Sequence, residues 1–317
     1  MRVCARAAGA AVCVLLATLP RLSHAVPTRD LSVRLLLSVS GYSPERPFQR
    51  PTAIALDTRE RVLYVADPGE HRIVAFSLQG VPTFVIEAGP DFRPVALAAG
   101  GDGRLLVADE SPGSVKVFDR SRTIVSELDL AAFQVADPVK VSHIALDKDG
   151  KLYVVDQGNC QVLVFDREQH LALRFGARGD GPGLFKAPQG VAVDHFGRIY
   201  VSDSLAAPVQ VFDGAGKYLH QFGARGSDAD GFLLPTAICA DRFDQIWLVD
   251  THRHRITIYD RFGFPVRRFG EFGQTSGRLF YPIDIALDNL GRIYLLELQA
   301  RRLQVFTFDN PLRKLEP

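Results

Sequence analysis

Carboxylates recur along this chain at a spacing that invites a catalytic reading. Asp109, Asp156, Asp203, Asp250 and Glu297 stand 47 residues apart with Asp67 ahead of them, and Asp147, Asp194, Asp241 and Asp288 keep the same interval behind Asp57. Paired carboxylates can act as general acid and base. A reaction needs one site, whereas an acid present once per unit suits a task performed once per unit. Accepting hydrogen bonds from the N–H groups of an adjoining loop is such a task.

Departures from the repetition say more about chemistry. Two residues before the end of the first apolar string stand Ala55, Ala98, Ala145, Ala192, Cys239 and Ala286, and two residues earlier stand Ala53, Ala96, His143, Gly190, Ala237 and Asp284. Period-two geometry puts both sets on one face of a strand. His143 and Asp284 are the polar members, expected on opposite sides of a ring, holding water, a small polar ligand or an ion at the mouth of an axial channel. The other departure is electrostatic. His71 and Arg72, then His252, Arg253, His254 and Arg255, then Arg301 and Arg302 fall in corresponding loops of the first, fifth and sixth units. These units are consecutive around a closed ring, so the eight side chains are expected on one basic rim that could hold an acidic partner.

The elements that must position these groups follow from the period. Three apolar strings of five to seven residues recur six times, rich in Val, Ile, Tyr and Phe and bounded by turn residues such as Lys148-Asp149-Gly150. Each string reads as a strand, and the tight turns read as hairpins. A fourth string completes a four-stranded antiparallel meander, the unit of a β-propeller. The expected fold is all-β: six blades at about 48–89, 94–130, 138–176, 188–223, 235–270 and 282–308. The sixth unit stops at its third strand, while an unmatched strand, 31–40, precedes the first. That strand is expected to close the ring as the outermost strand of the last blade.

The string LYVVDQGNCQVLVFD, Leu152 to Asp166, with its relatives Glu70-His71-Arg72-Ile73 and His252-Arg253-His254-Arg255-Ile256, resembles the NHL repeat. The resemblance covers residues 31–310 and implies a six-bladed propeller over 26–317. Proteins similar to it include RNA-binding domains, receptor-kinase sensor domains, exported bacterial repeat proteins and peptidyl-α-hydroxyglycine α-amidating lyase. The last of these implies an alternative function: a metal-dependent lyase or hydrolase with a site at the channel mouth.

Residues 1–25 read as a secretory signal peptide: Arg2 and Arg6, an apolar run from Ala7 to Leu19, and Ser23-His24-Ala25 as a cleavage site. Export to the periplasm or beyond is therefore expected, with no membrane-spanning segment in the mature chain. Basic and acidic residues number 37 and 36, a balance that argues against a nucleic-acid partner. Cys160 and Cys239, the cysteines beyond residue 25, fall on non-neighbouring units and are expected as separate thiols. Without HExxH, CxxC or a phosphate loop, no cofactor or metal is implied. The expected function is non-enzymatic: binding an anionic protein or envelope glycan through the basic rim.

Overall fold

The computed structural model describes residues 29–110, 113–133, 135–228 and 230–308; the expected signal segment lies outside them. Six four-stranded antiparallel sheets form the blades of a β-propeller. Their inner strands are Ala53–Asp57, Pro94–Ala99, Val141–Leu146, Pro188–Val193, Pro235–Ala240 and Pro282–Leu287. Each packs beside the next, and the sixth returns to the first.

The core is divided accordingly. Among the described residues there are six apolar clusters, each lying between two adjacent blades. Leu106, Val117 and Leu128 meet Ile144 and Phe165 between blades two and three; Tyr153 and Val164 meet Val191 and Phe212 between three and four. The last seam brings Tyr294, Leu296 and Val305 of blade six against Ile54, Val65 and Phe76 of blade one. Second and third strands are buried on both faces, as in Leu152–Asp156 and Gln161–Phe165. This explains why their sequences are continuous apolar runs rather than alternations. Trp247 is buried, and its indole N–H donates to Asp241 at 3.0 Å.

Hydroxyl groups stitch the inner strands together near the loops that lead into the blades. Thr52 Oγ1 donates to the Pro94 carbonyl at 3.3 Å, Ser142 Oγ to Pro188 at 3.2 Å, Ser202 Oγ to Thr236 at 2.5 Å and Thr251 Oγ1 to Pro282 at 2.7 Å. At Gly190 a Cβ would come within 2.9 Å of the Thr236 carbonyl and 3.1 Å of Ser202 Oγ. The glycine lets blades four and five approach that closely.

The ring closes as expected from the missing strand. Val33–Val39 pairs antiparallel with Arg302–Phe308 as the outer strand of blade six. The residues just before it do more than was expected. Arg29–Asp30 runs parallel to Pro265–Phe269 at the outer edge of blade five, and the Leu31 N–H donates to the Arg268 carbonyl at 2.6 Å. The N-terminal segment thus ties blade five to blade six.

Deleting residues 29–40 should expose the backbone edge of Arg302–Phe308, with loss of several kcal/mol of stability and aggregation on heating. Thermal unfolding followed by light scattering measures both; an unchanged melting temperature would contradict closure by this strand.

Candidate functional site

The loop between second and third strands is built around the carboxylate that ends the second strand. Asp67 accepts the N–H groups of Gln49 and Arg50, Asp203 those of Lys186 and Ala187, and Asp250 those of Leu233 and Leu234. Each of these acids holds the loop that leads into its own blade. Asp156 and Asp203 also accept N–H groups just after them, from Asn159 and from Leu205 and Ala206. The first-strand series has another structural task. Asp147 and Asp194, for example, each accept N–H groups two and four residues on, within their hairpin turns.

Four residues after the second-strand carboxylate, the backbone is left-handed in five blades: His71 (φ 53°), Gly113 (85°), Cys160 (54°), His254 (54°) and Arg301 (47°). The next residue can then reach back to the acid. Arg72 bonds Asp67 at 3.0 Å, Gln161 bonds Asp156 at 2.8 Å and Arg302 bonds Glu297 at 2.7 Å. Arg72 and Arg302 also donate to loop carbonyls, Arg72 to Pro47 at 2.8 Å and Arg302 to Gln274 at 2.6 Å and Arg278 at 2.9 Å. This corrects the expectation of an eight-residue basic rim. Arg72 and Arg302 are buried, neutralised by their acids, and present no charge to a partner.

The remaining six divide further. Arg253 is half-buried and donates to the carbonyls of Gly226 and Asp228, and Arg255 donates to Gly231. The His71 ring bonds the Phe92 carbonyl at 3.0 Å. His252 and Arg301 are exposed, and the Arg301 side chain donates to Gln49 Oε1 at 3.4 Å.

Around His252 and His254 lies a feature the sequence reading did not single out. The His254 ring packs against Phe272 at 4.8 Å and Tyr281 at 4.7 Å, and Phe280 packs against Tyr281 at 5.1 Å. His252 meets Tyr281 edge-on at 5.9 Å. The Tyr281 N–H donates to His254 Nδ1 at 3.0 Å, fixing the histidine ring. Burial and the neighbouring His252 charge lower the His254 pKa. Phe272 is 61% exposed. Five rings therefore form a platform on the rim between blades five and six, contributed by a second-to-third strand loop and by the Gly-rich loop of 270–281.

The axial pair is also placed differently from expectation. Blades three and six do face each other, but the channel is narrow enough that His143 Nε2 lies 4.0 Å from Asp284 Oδ1. Asp284 is buried; its Oδ2 accepts the Ile54 N–H of blade one at 2.7 Å, and its Oδ1 accepts the Ile285 N–H at 2.8 Å. His143 Nδ1 accepts the Val191 N–H of blade four at 3.5 Å. Each side chain accepts an N–H from a neighbouring inner strand. They border a cavity of about 240 Å³ that extends along the inner strands past Cys239 toward the hairpin side. Removal from bulk water pushes Asp284 up to about 7 and pulls His143 down to about 4. The same burial raises the Cys239 thiol well above its ordinary range. Cys160 and Cys239 are both free.

A family described as a 6-bladed beta-propeller matches residues 184–268. No curated protein matches the sequence. Among solved structures, virginiamycin B lyase from Staphylococcus aureus superposes with a TM-score of 0.62 at 12% identity, covering 88% of this chain and 100% of the lyase. A gluconolactonase from Xanthomonas campestris gives 0.62 at 14%, covering 87% of this chain and 89% of the other. A Bacteroides thetaiotaomicron protein of unknown function gives 0.65 at 16%, with coverages of 89% and 73%. At these identities the likeness is one of fold.

Two expectations separate structural from surface roles. Arg72→Ala should cost about 3–5 kcal/mol by stranding the buried Asp67 carboxylate, whereas Arg301→Ala should change stability by less than about 0.5 kcal/mol. Urea denaturation measures both; equal effects would contradict the division. The channel pair gives opposite pH signatures. Because its folded pKa is raised, Asp284 contributes stability that is present below its ordinary pKa of 3.8 and is lost as pH rises toward about 7. His143, with its folded pKa lowered, contributes stability present above 6.5 and lost as pH falls toward about 4. Relative to wild type, His143→Gln should lose stability as pH rises through this window, and Asp284→Asn as pH falls, each at up to ~1.4 kcal/mol per pH unit. Parallel denaturation curves across that range would contradict this assignment.

Proposed function

We propose that this protein is an exported, non-enzymatic binding propeller with repeats of the NHL type, holding an anionic protein segment or envelope glycan on the rim of blades five and six. The observation that carries this reading is the ring platform of His252, His254, Phe272, Phe280 and Tyr281, exposed at Phe272 and His252. Aromatic faces give contact area at little entropic cost. Arg301, also exposed on the blade-six loop, adds a guanidinium fork suited to carboxylates. The platform is firmly built, because Tyr281 and His254 fix each other and the buried Glu297–Arg302 pair anchors the loop carrying Phe272 and Phe280.

A second reading, a lyase or hydrolase, has one observation in its favour: His143 and Asp284 face each other beside a cavity. The lyase and the gluconolactonase of similar fold show that such rings can carry enzymes. Yet both side chains are engaged by backbone N–H groups. For the metal-dependent form, among the described residues no group of three or more His, Cys, Asp or Glu side chains is gathered to hold an ion. The rim reading is therefore preferred.

Binding to polygalacturonate and to poly-glutamate, with a neutral dextran as reference, tests the proposal. The triple variant His252→Ala/Phe272→Ala/Arg301→Ala should weaken polyanion binding by about tenfold or more without lowering the melting temperature. Wild-type binding should weaken with salt and strengthen as pH falls below the ordinary histidine range, since protonating His254 adds positive charge to the platform. Unchanged affinity in the triple variant would overturn the assignment of this rim.

A further inference from the structure

The axial cavity bordered by His143 and Asp284 plays no part in the rim proposal. It measures about 240 Å³ and runs along the inner strands. Two residues beyond the level of the pair, each inner strand contributes a small side chain to its wall: Ala55, Ala98, Ala145, Ala192 and Ala286, with Cys239 as the sixth member. The side chains at this level are thus small and apolar, with His143 and Asp284 as the polar pair beside them. A cavity of about 150 Å³ with apolar walls takes up benzene, so there is room here for one ring and a substituent.

Each member of the pair keeps one hydrogen-bonding position beyond those that serve the neighbouring strands. His143 Nδ1 accepts the Val191 N–H at 3.5 Å, and burial keeps the ring neutral above about pH 4, so its proton is on Nε2. That N–H makes no hydrogen bond among the described residues. Asp284 Oδ1, which it faces, is 4.0 Å away, beyond hydrogen-bond reach. Oδ1 accepts the Ile285 N–H at 2.8 Å and retains a second lone pair. At this separation one atom can lie about 2.8 Å from both groups, the two bonds meeting at roughly a right angle.

We propose that the axial cavity binds a small uncharged hydroxyl compound, an alcohol or phenol, whose oxygen bridges His143 Nε2 and Asp284 Oδ1. A hydroxyl accepts and donates through one oxygen. Its proton can also turn, so the same group serves Asp284 whether the carboxyl is ionised or protonated. A carbonyl accepts from the imidazole but gives nothing to the carboxylate, and an ammonium group gives to the carboxylate but accepts nothing from the imidazole. Charged ligands are further disfavoured by the cost of bringing a charge among alanines. The apolar body lies along the alanine level, and no bond is made or broken. The site is independent of the rim, whose occupant is a large anion.

Titration calorimetry of the full chain with phenol, and with benzene as the same ring lacking the hydroxyl, tests this. Phenol should bind once per chain and about tenfold or more tightly than benzene. His143→Leu removes the donor and should bring the two ligands within about twofold of each other. The wild type offers a second measurement that needs no substitution. Cys239 is on the cavity wall, so phenol at about nine times its Kd should slow modification of this thiol by methyl methanethiosulfonate about tenfold, read by mass spectrometry. Cys160 is buried, its Sγ bonded to the Gln157 and Lys186 carbonyls, and should show no such protection. Three outcomes would each overturn the proposal: phenol that binds the wild type no better than benzene, a preference that survives His143→Leu, or Cys239 modified as fast with phenol as without. The first would leave water as the bridge between the two side chains.

Discussion

A buried carboxylate at the end of each second strand is the constraint from which much of this molecule's form follows. A propeller's loops must cross from the outer strand of one blade to the inner strand of the next, leaving amide groups without sheet partners in a place closed to water. Such groups must be paired. The acids meet that need where Asp67, Asp203 and Asp250 each accept two successive N–H groups. A buried charge then needs its own compensation, supplied by Arg72 in blade one, Gln161 in blade three and Arg302 in blade six. The left-handed residue in the loop between second and third strands permits that return. The shape of the rim is therefore a consequence of amide pairing, and surface chemistry is confined to what this framework leaves outside.

This dependence explains what could be read from the sequence. The architecture was legible because the 47-residue period repeats turn signals as well as apolar strings, and closure was legible because one strand was missing at one end and surplus at the other. The roles of Arg72 and Arg302 were legible in principle. Gln161 holds the corresponding place in blade three, five residues after an acid, and a glutamine there points to hydrogen bonding rather than to charge display. What hid the role was the run of bases around them, which reads equally well as a patch. The aromatic platform was obscured for another reason. Phe272, Phe280 and Tyr281 belong to a Gly-rich loop between repeats, where strand periodicity says nothing about direction. Only the folded loop shows that they gather about His254.

His143 and Asp284 were found by comparing equivalent positions, and their separation by three blades was read correctly. The width of the channel was not readable. Small residues on the other inner strands let the ring close until two polar side chains meet across the axis. They face each other with opposite tendencies, the acid inclined to keep its proton and the imidazole to lose its own. The pair is thus neutral in the sense that suits burial, and its hydrogen bonds join blade six to one and blade three to four.

The N-terminal segment has a consequence for how the ring comes into being. Val33–Val39 pairs with the last described strand, some 270 residues away along the chain, and the residues just before it bind blade five. Blades one to four can fold as local meanders from residues close together in the chain. The seam cannot, because its two sides are the first and last parts of the propeller to be made. Such long-range pairing is slow to form and leaves strand edges open meanwhile. The strand Val33–Val39 must therefore wait, unpaired, until Arg302–Phe308 is in place, and the vulnerable species of this protein is the ring whose last seam is still open.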